Sequence, residues 1–257
     1  MSKKIVIGCG LIRIGRVWGV GNNNIPSEKE VQIFLESAYM QGIRFFDTAP
    51  SYGLSEDRLG HFLKNLTNKQ RISVSVATKF GEHWDDRKNI PYTNHSYDSL
   101  VASLNNSFNK LGSINLLQLH KATKNLLRSS DVAEALAEAK LMGVENIGAS
   151  ISDKETGFAF SSDPRFSYLQ LPFNQDNPIL LPVIAQAIKN NQQIIFNRPL
   201  AMGAITEGKD KLEKKTAIQD AYEFILKTSA TGVILTGTAS AEHLKENLSA
   251  FKKAVSD

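Results

Sequence analysis

The 257 residues carry a formal net charge of +4 and a single cysteine, which excludes an internal disulfide and fits a reducing compartment. The start, MSKKIVIGCG, has too short an apolar run for a secretory leader, and no apolar stretch approaches membrane-spanning length. Basic residues are scattered among acidic ones, with no basic stripe interleaved with aromatics, so neither nucleic acid nor a membrane is an expected partner.

Short apolar runs recur along the chain and read as buried parallel strands. The first, residues 5–9 (IVIGC), contains Cys9, which is expected to be a buried and inert thiol. Ser27 is a good N-cap with Glu28 and Glu30 behind it, and Gly42 marks the far end of that helix. The run 43–46 (IRFF) leads into DTAPSYG and then a helix start. A third run, 72–77 (ISVSVA), is followed by a long charged and aromatic stretch, 80–95, expected to be irregular and functional. His83 and Trp84 in that stretch are candidates to line a pocket, whereas His61 is expected at the surface.

Helical spacing over 96–111 precedes the strand 114–119 (INLLQL), and helical spacing over 131–142 precedes 144–149 (VENIGA). Gly112 and Gly143 fall where a C′ glycine is wanted. The remaining strands are 168–171 (YLQL), 193–196 (QIIF) and 232–235 (GVIL), with helices over 179–190, 216–228 and 241–255. The run KDKLEKK at 209–215 reads as a solvated helix start. Strict alternation of eight strands with about as many helices, without a linker, favours one closed (β/α)8 TIM barrel spanning 1–257 over an open sheet.

Active sites of parallel barrels form at the strand C-termini. The polar residues expected there include Asp47, Thr78, Lys79, His120, Ser150, Gln170, Asn197, Arg198 and Thr236. Asp47, Tyr52, Lys79 and His120 make a coherent set. A phenol titrates near pH ~10 and is a poor acid unaided. A lysine ammonium favours the phenolate and lowers that value. An aspartate would hold the lysine charged, and a histidine would orient a carbonyl oxygen. Such a group would protonate an oxygen as hydride reaches its carbon. Taken singly, each of these residues is more often a structural hydrogen-bonder. The five histidines lack metal-ligand spacing, and no catalytic metal is expected.

On these residues the chain resembles the aldo-keto reductases over nearly its whole length. FDTAPSYG with SEDRLG resembles the family's Asp and Tyr motif, VATKFG its lysine strand and LLQLH its histidine strand. The resemblance implies a catalytic tetrad in which Tyr52 is the proton donor, Lys79 its modulator, Asp47 the lysine's partner and His120 the orienting group. It implies a nicotinamide cofactor, with NADP favoured and NAD open, although the Rossmann fingerprint GxGxxG is absent. Gly10, Leu11 and Asp47 would approach the nicotinamide ribose. Ser150 and Gln170 would meet the carboxamide. Asn197, Arg198 and Leu200 would lie along the nicotinamide and pyrophosphate. Gly237 and Thr238 would meet phosphate or ribose, and His243, Glu246 and Asn247 the adenine, although HLKENL alone reads as a surface helix.

Three positions depart from the family pattern. Ile151 follows Ser150 where asparagine is frequent, Asn197 stands where an aromatic often stacks, and residues 238–241 (TASA) lack the Lys or Arg that commonly holds a 2′-phosphate. A hydroxyl-rich helix N-terminus can still bind phosphate. The N-terminal hairpin that closes many family barrels is expected to be short or absent. The resemblance implies a cytoplasmic enzyme, a monomer or weak oligomer, that reduces an aldehyde or ketone or oxidises the matching alcohol or sugar. Two other readings stay open: a cofactor-binding regulatory barrel with little or no turnover, and a lyase forming a Schiff base at Lys79. The latter needs a neutral, desolvated lysine.

Overall fold

Alternating side chains decide how the strands close. In the computed structural model, which describes residues 5–19, 24–229 and 231–256, ten strands form: β1 (Ile5–Gly10), β2 (Phe45–Asp47), β3 (Ser75–Phe80), β4 (Glu82–Asp85), β5 (Ile90–Thr93), β6 (Leu116–Leu119), β7 (Asn146–Ser150), β8 (Tyr168–Pro172), β9 (Gln193–Asn197) and β10 (Gly232–Thr236). Eight of them make a closed parallel barrel in the order β1-β10-β9-β8-β7-β6-β3-β2. Closure comes from β1, which pairs with β10 (Ile5 opposite Gly232) and with β2 (Gly10 opposite Asp47). The expectation that an N-terminal hairpin is short or absent bears on residues 1–4, which lie outside the described residues.

The helices are α1 (Ile12–Gly15), α2 (Glu28–Met40), α3 (Ser55–Lys64), α4 (Asn68–Ile72), α5 (Tyr97–Leu111), α6 (Ser130–Leu141), α7 (Lys154–Ser161), α8 (Leu181–Lys189), α9 (Lys211–Thr228) and α10 (Ala241–Ser256). Ser27 caps α2 as expected, in a reciprocal capping box with Glu30. Asp210 and Glu213 do the same for α9, so that helix starts five residues before the expected 216.

Inward and outward positions separate into two apolar sets. Ala77, Leu116, Ile195, Val233 and Leu235 pack inside the barrel with Phe45 and Tyr168. Outward residues such as Phe46, Val76, Leu117, Leu119 and Phe196 pack against the helices, with Cys9 fully buried among them. Burial pushes the Cys9 thiol far up, which keeps it unionised and unreactive. Burying an apolar side chain stabilises by roughly 1.5–3 kcal/mol, so this outer layer is what holds helices to barrel.

Two expectations need correction. The strand expected over 72–77 begins at Ser75, because Thr67 and Gln70 form a capping box that starts α4. Ile72 ends that helix and is 85% exposed. The stretch 80–95, expected to be irregular, holds an antiparallel hairpin in which Glu82 pairs with Thr93 and Asp85 with Ile90. Its β4 strand follows β3 after Gly81 alone, whose φ of +100° suits a residue without a side chain.

Candidate active site

Strand parity places the site. On β3, Ala77 faces the interior, so Lys79 two residues on does also; on β2, Phe45 does, and so does Asp47. Lys79 Nζ donates to Asp47 Oδ2 at 2.6 Å and to the Thr48 carbonyl at 2.9 Å. From β6, Gln118 Nε2 donates to Asp47 Oδ1 at 2.8 Å. All three side chains are buried, and they join three neighbouring strands at one end of the barrel.

Tyr52 reaches this cluster from a single 3-10 turn, Pro50–Tyr52, just after β2. Its position depends on a close backbone contact with α1. A Cβ on Gly15 would overlap the Tyr52 carbonyl oxygen, so only glycine lets the two segments meet. The Ser55 hydroxyl donates to the Leu11 carbonyl at 3.0 Å and lies 2.8 Å from Thr48 Oγ1, tying the ends of β1 and β2 to the start of α3. Lys79 Nζ lies 4.8 Å from the Tyr52 ring centroid, and the His120 ring stands edge-on to Tyr52 at 5.9 Å and 80°. Asp47, Tyr52, Lys79 and His120 are therefore brought together.

The electrostatics of the four refine the expectation. Burial pushes the Tyr52 phenol above its ordinary value; Lys79 pulls it down but does not win. Tyr52 thus holds its proton at neutral pH. For Lys79, burial opposes the charge, but Asp47 and Tyr52 outweigh it and hold the ammonium above its usual range. That is the opposite of what a Schiff-base lysine needs. Burial, then the cations Lys79, Lys121 and Arg16 and the neighbouring His95, keep His120 well below the usual imidazole range.

Several site residues carried no signal in the spacing. Glu82, on β4, is buried at the mouth. It accepts from the Ser51 hydroxyl at 2.7 Å, lies 3.3 Å from His120 Nδ1, and pairs with Lys121 at 3.5 Å. His95 Nε2 donates to the His120 carbonyl at 2.9 Å. Glu82 of the hairpin and His95 just after it thus brace His120. Gln118 was detectable in principle, since it is a polar residue at an inward position within an apolar strand. The two pocket candidates of the hairpin separate: Trp84 faces the mouth beside Arg16, at 5.2 Å, while His83 is held by the Asn94 carbonyl and Ser99 and stacks on Tyr92.

The residues expected around a cofactor line the same end. Ser150 and Gln170 are paired in register on β7 and β8, and their side chains make no hydrogen bond with any described residue. Asn197 Oδ1 is buried without a partner. Phe196 packs outward against Phe173, so the strand-end position belongs to Asn197 and carries no stacking aromatic. At Gly10 a Cβ would make only ordinary contacts, and at Gly237 it would meet nothing, so the fold itself does not require either glycine. Leu11 is buried, its N–H donating to the Asp47 carbonyl at 2.9 Å. Arg198 has φ +55° and stands 5.8 Å from the Trp18 ring, and Leu200 follows on the same loop, partly buried. At the start of α10, Thr238 Oγ1 accepts from the Ser240 N–H and Ser240 Oγ from the His243 N–H. His243 and Glu246 are exposed, whereas Asn247 is buried and donates to Thr236 Oγ1 at 2.7 Å. Asn247 therefore ties α10 to β10. These unbonded amides, open glycines and a helix N-terminus fit a dinucleotide, which needs polar contacts for a carboxamide and backbone N–H groups for phosphate. Among the described residues no cluster of three His, Cys, Asp or Glu could hold a metal, and no helix is long and apolar enough to cross a membrane.

Comparison with known proteins identifies the family and the fold. A sequence model described as the aldo/keto reductase family matches residues 6–220. The oxidoreductase YqkF of Bacillus subtilis, itself uncharacterised, is 22% identical over 285 aligned positions, spanning 96% of this chain and 90% of that protein. A crystal structure from Pseudomonas aeruginosa, assigned as an aldo-keto reductase, superposes with a TM-score of 0.80 at 25% identity, covering 97% of this chain and 90% of the other. The holo form of the aldo-keto reductase AKR11C1 from Bacillus halodurans shares the fold, with a TM-score of 0.76 at 18% identity over 100% of this chain and 95% of its own.

Proposed function

The chain belongs to the aldo/keto reductase family of oxidoreductases, and we propose that it is an NADP-preferring enzyme that reduces an aldehyde or ketone, or oxidises the matching alcohol or sugar. The observation that carries this reading is the buried Lys79–Asp47 pair set against Tyr52 and His120 at the strand ends. When bound, the nicotinamide supplies hydride to the carbonyl carbon. Tyr52 gives its hydroxyl proton to the carbonyl oxygen. Lys79 stabilises the phenolate that is left, and Asp47 with Gln118 fixes Lys79 in place. His120, braced by Glu82 and Ser51, orients the substrate oxygen. Ser150, Gln170 and Asn197 would hold the nicotinamide end, Gly10, Leu11 and Asp47 its ribose, and Arg198 and Leu200 the pyrophosphate. Gly237 and Thr238 would take the remaining phosphate or ribose, with His243 and Glu246 near the adenine. Asn247 would act there through the packing of α10. The small-molecule substrate, the cytoplasmic location and a monomeric or weakly associated state belong to the same proposal.

The test joins binding to turnover. Fluorescence titration is expected to show saturable micromolar binding of NADPH, tighter than NADH. Tyr52→Phe is expected to keep that binding and lose about 10²–10⁴-fold in kcat, the usual worth of general acid catalysis. Full turnover by Tyr52→Phe would sink the mechanism. Binding without any carbonyl turnover would support the regulatory barrel instead.

A further inference from the structure

The mouth of the barrel holds a cation that the proposed chemistry leaves unused. Arg16 directly follows α1, whose backbone is locked against Tyr52 through Gly15. Its guanidinium carbon lies 5.3 Å from the Trp18 ring, 5.2 Å from the Trp84 ring and 5.9 Å from the Tyr52 ring. Three aromatic rings hold it in position, yet its Nε is buried with no hydrogen-bond partner, and the side chain makes no hydrogen bond or ion pair with any described residue. A guanidinium has five N–H donors, and burying the Nε–H without a partner is costly.

Neighbouring charges do not supply the missing partner. Glu82 is the near carboxylate, but Ser51, His120 and Lys121 engage it, and it makes no ion pair with Arg16. Asp47 is taken by Lys79 and Gln118. At the mouth Asp47 therefore matches Lys79 and Glu82 matches Lys121, which leaves Arg16 and Arg198, both standing against Trp18, as the cations without a carboxylate partner. Arg198 is taken by the cofactor pyrophosphate in the reductase reading, which leaves Arg16, 5.9 Å from the Tyr52 ring, as the free charge at the mouth. With Arg198 given to the cofactor, the one remaining charge matches a monoanion, and buried Glu82 disfavours a dianion such as a phosphate ester. A flat guanidinium framed by two indoles suits a flat, two-oxygen acceptor.

Resting on the reductase reading above, we propose that Arg16 is a specificity-determining residue that binds a carboxylate on the substrate, so that the site takes aldehydes or ketones bearing a carboxylate a few bonds from the carbonyl. Trp18 and Trp84 form the walls of that subsite. They are also the chain's two tryptophans, so intrinsic fluorescence reports on it directly.

The test compares 4-oxobutanoate with butanal, which differ by the carboxylate, in the wild type, Arg16→Met and Arg16→Lys. The wild type is expected to favour 4-oxobutanoate in kcat/KM by about 10- to 100-fold, the range for a charge-assisted hydrogen bond. Arg16→Met should bring that ratio close to one, and Arg16→Lys should restore part of it. A readout independent of turnover is tryptophan fluorescence titrated with 4-hydroxybutanoate and, separately, 1-butanol. Only the former should give a saturable change, and Arg16→Met should lose it. Equal use of the two aldehydes by the wild type, or carboxylate binding that survives in Arg16→Met, overturns the proposal. Arg16-dependent binding of 4-hydroxybutanoate without turnover of either aldehyde would sink the reductase reading and leave the carboxylate subsite standing; absence of both turnover and binding sinks both.

Discussion

The Lys79–Asp47 pair puts two full charges inside a barrel, at 2.6 Å, with side-chain exposures of 0% and 3%. Removing one partner of such a pair leaves the other buried and uncompensated, which typically costs about 3–5 kcal/mol. Lys79→Met is therefore expected to destabilise by roughly that amount in urea unfolding, because Asp47 would keep only Gln118. Adding Asp47→Asn should recover part of the loss, since the double variant buries no net charge. A double variant no more stable than Lys79→Met would mean that the cost lies in lost packing around the lysine stem, not in charge. The same residues explain how much of the site was legible beforehand. Asp47, Lys79 and His120 sit at the ends of apolar runs, where a polar residue contradicts the burial pattern and so stands out, whereas Tyr52 lies in the turn after β2 and was legible only through the family resemblance of DTAPSYG. Glu82, Ser51 and Arg16 come from turns and a hairpin, where polar residues are ordinary. Only the folded path of the chain turns them toward the mouth.

At the scale of elements, helices with strong caps and strands with uninterrupted apolar runs were readable, and boundaries between competing signals were not. The segment around Ile72 is apolar enough to suggest a strand, but the Thr67–Gln70 capping box upstream commits it to α4. The hairpin over 82–93 escaped notice because its second strand, Ile90–Thr93, is exposed throughout and lacks alternation. Packing between elements also carries a titratable group that spacing did not reveal. Glu56 on α3 is buried, accepts from Thr78 of β3 at 2.6 Å and from Ser107 of α5 at 2.8 Å, and leaves its second oxygen unpartnered. Burial raises its pKa above the ordinary 4.5, against the pull of those two hydroxyls. A carboxyl whose folded value is raised contributes stability that is complete below the unfolded value and is lost as pH rises through the folded one. The neutral isostere in Glu56→Gln does not titrate. Its stability relative to wild type is therefore expected to increase as pH rises above about 4.5, read by urea unfolding over a pH series. A constant difference across that series would mean that Glu56 ionises normally and that the Thr78 and Ser107 bonds offset its burial.

Across the whole molecule, closure sets the unit of stability. The last barrel strand finds its partners in β9 and in β1, at the opposite end of the sequence, so Ile5 lies opposite Gly232. A barrel cut at any point would expose two strand edges, with their unpaired N–H and C=O groups. The polar cluster adds a second constraint, because Asp47, Lys79 and Gln118 are satisfied only while β2, β3 and β6 remain adjacent. Neither half of the chain completes both features alone. The 257 residues are therefore expected to unfold as one domain, although a chain of this length is large for two-state behaviour. Far-UV circular dichroism reports mainly the helices distributed around the barrel. Tryptophan fluorescence reports Trp18 and Trp84, both at the mouth beside Arg16. The two probes sample different layers and different parts of the sequence, and their urea midpoints are expected to coincide. An earlier fluorescence midpoint would mean that the mouth opens before the helical layer melts, so that the site is a separately unfolding unit. A biphasic circular dichroism transition would be more damaging, because it would divide the helical layer itself and show that β1–β10 closure does not couple the two halves.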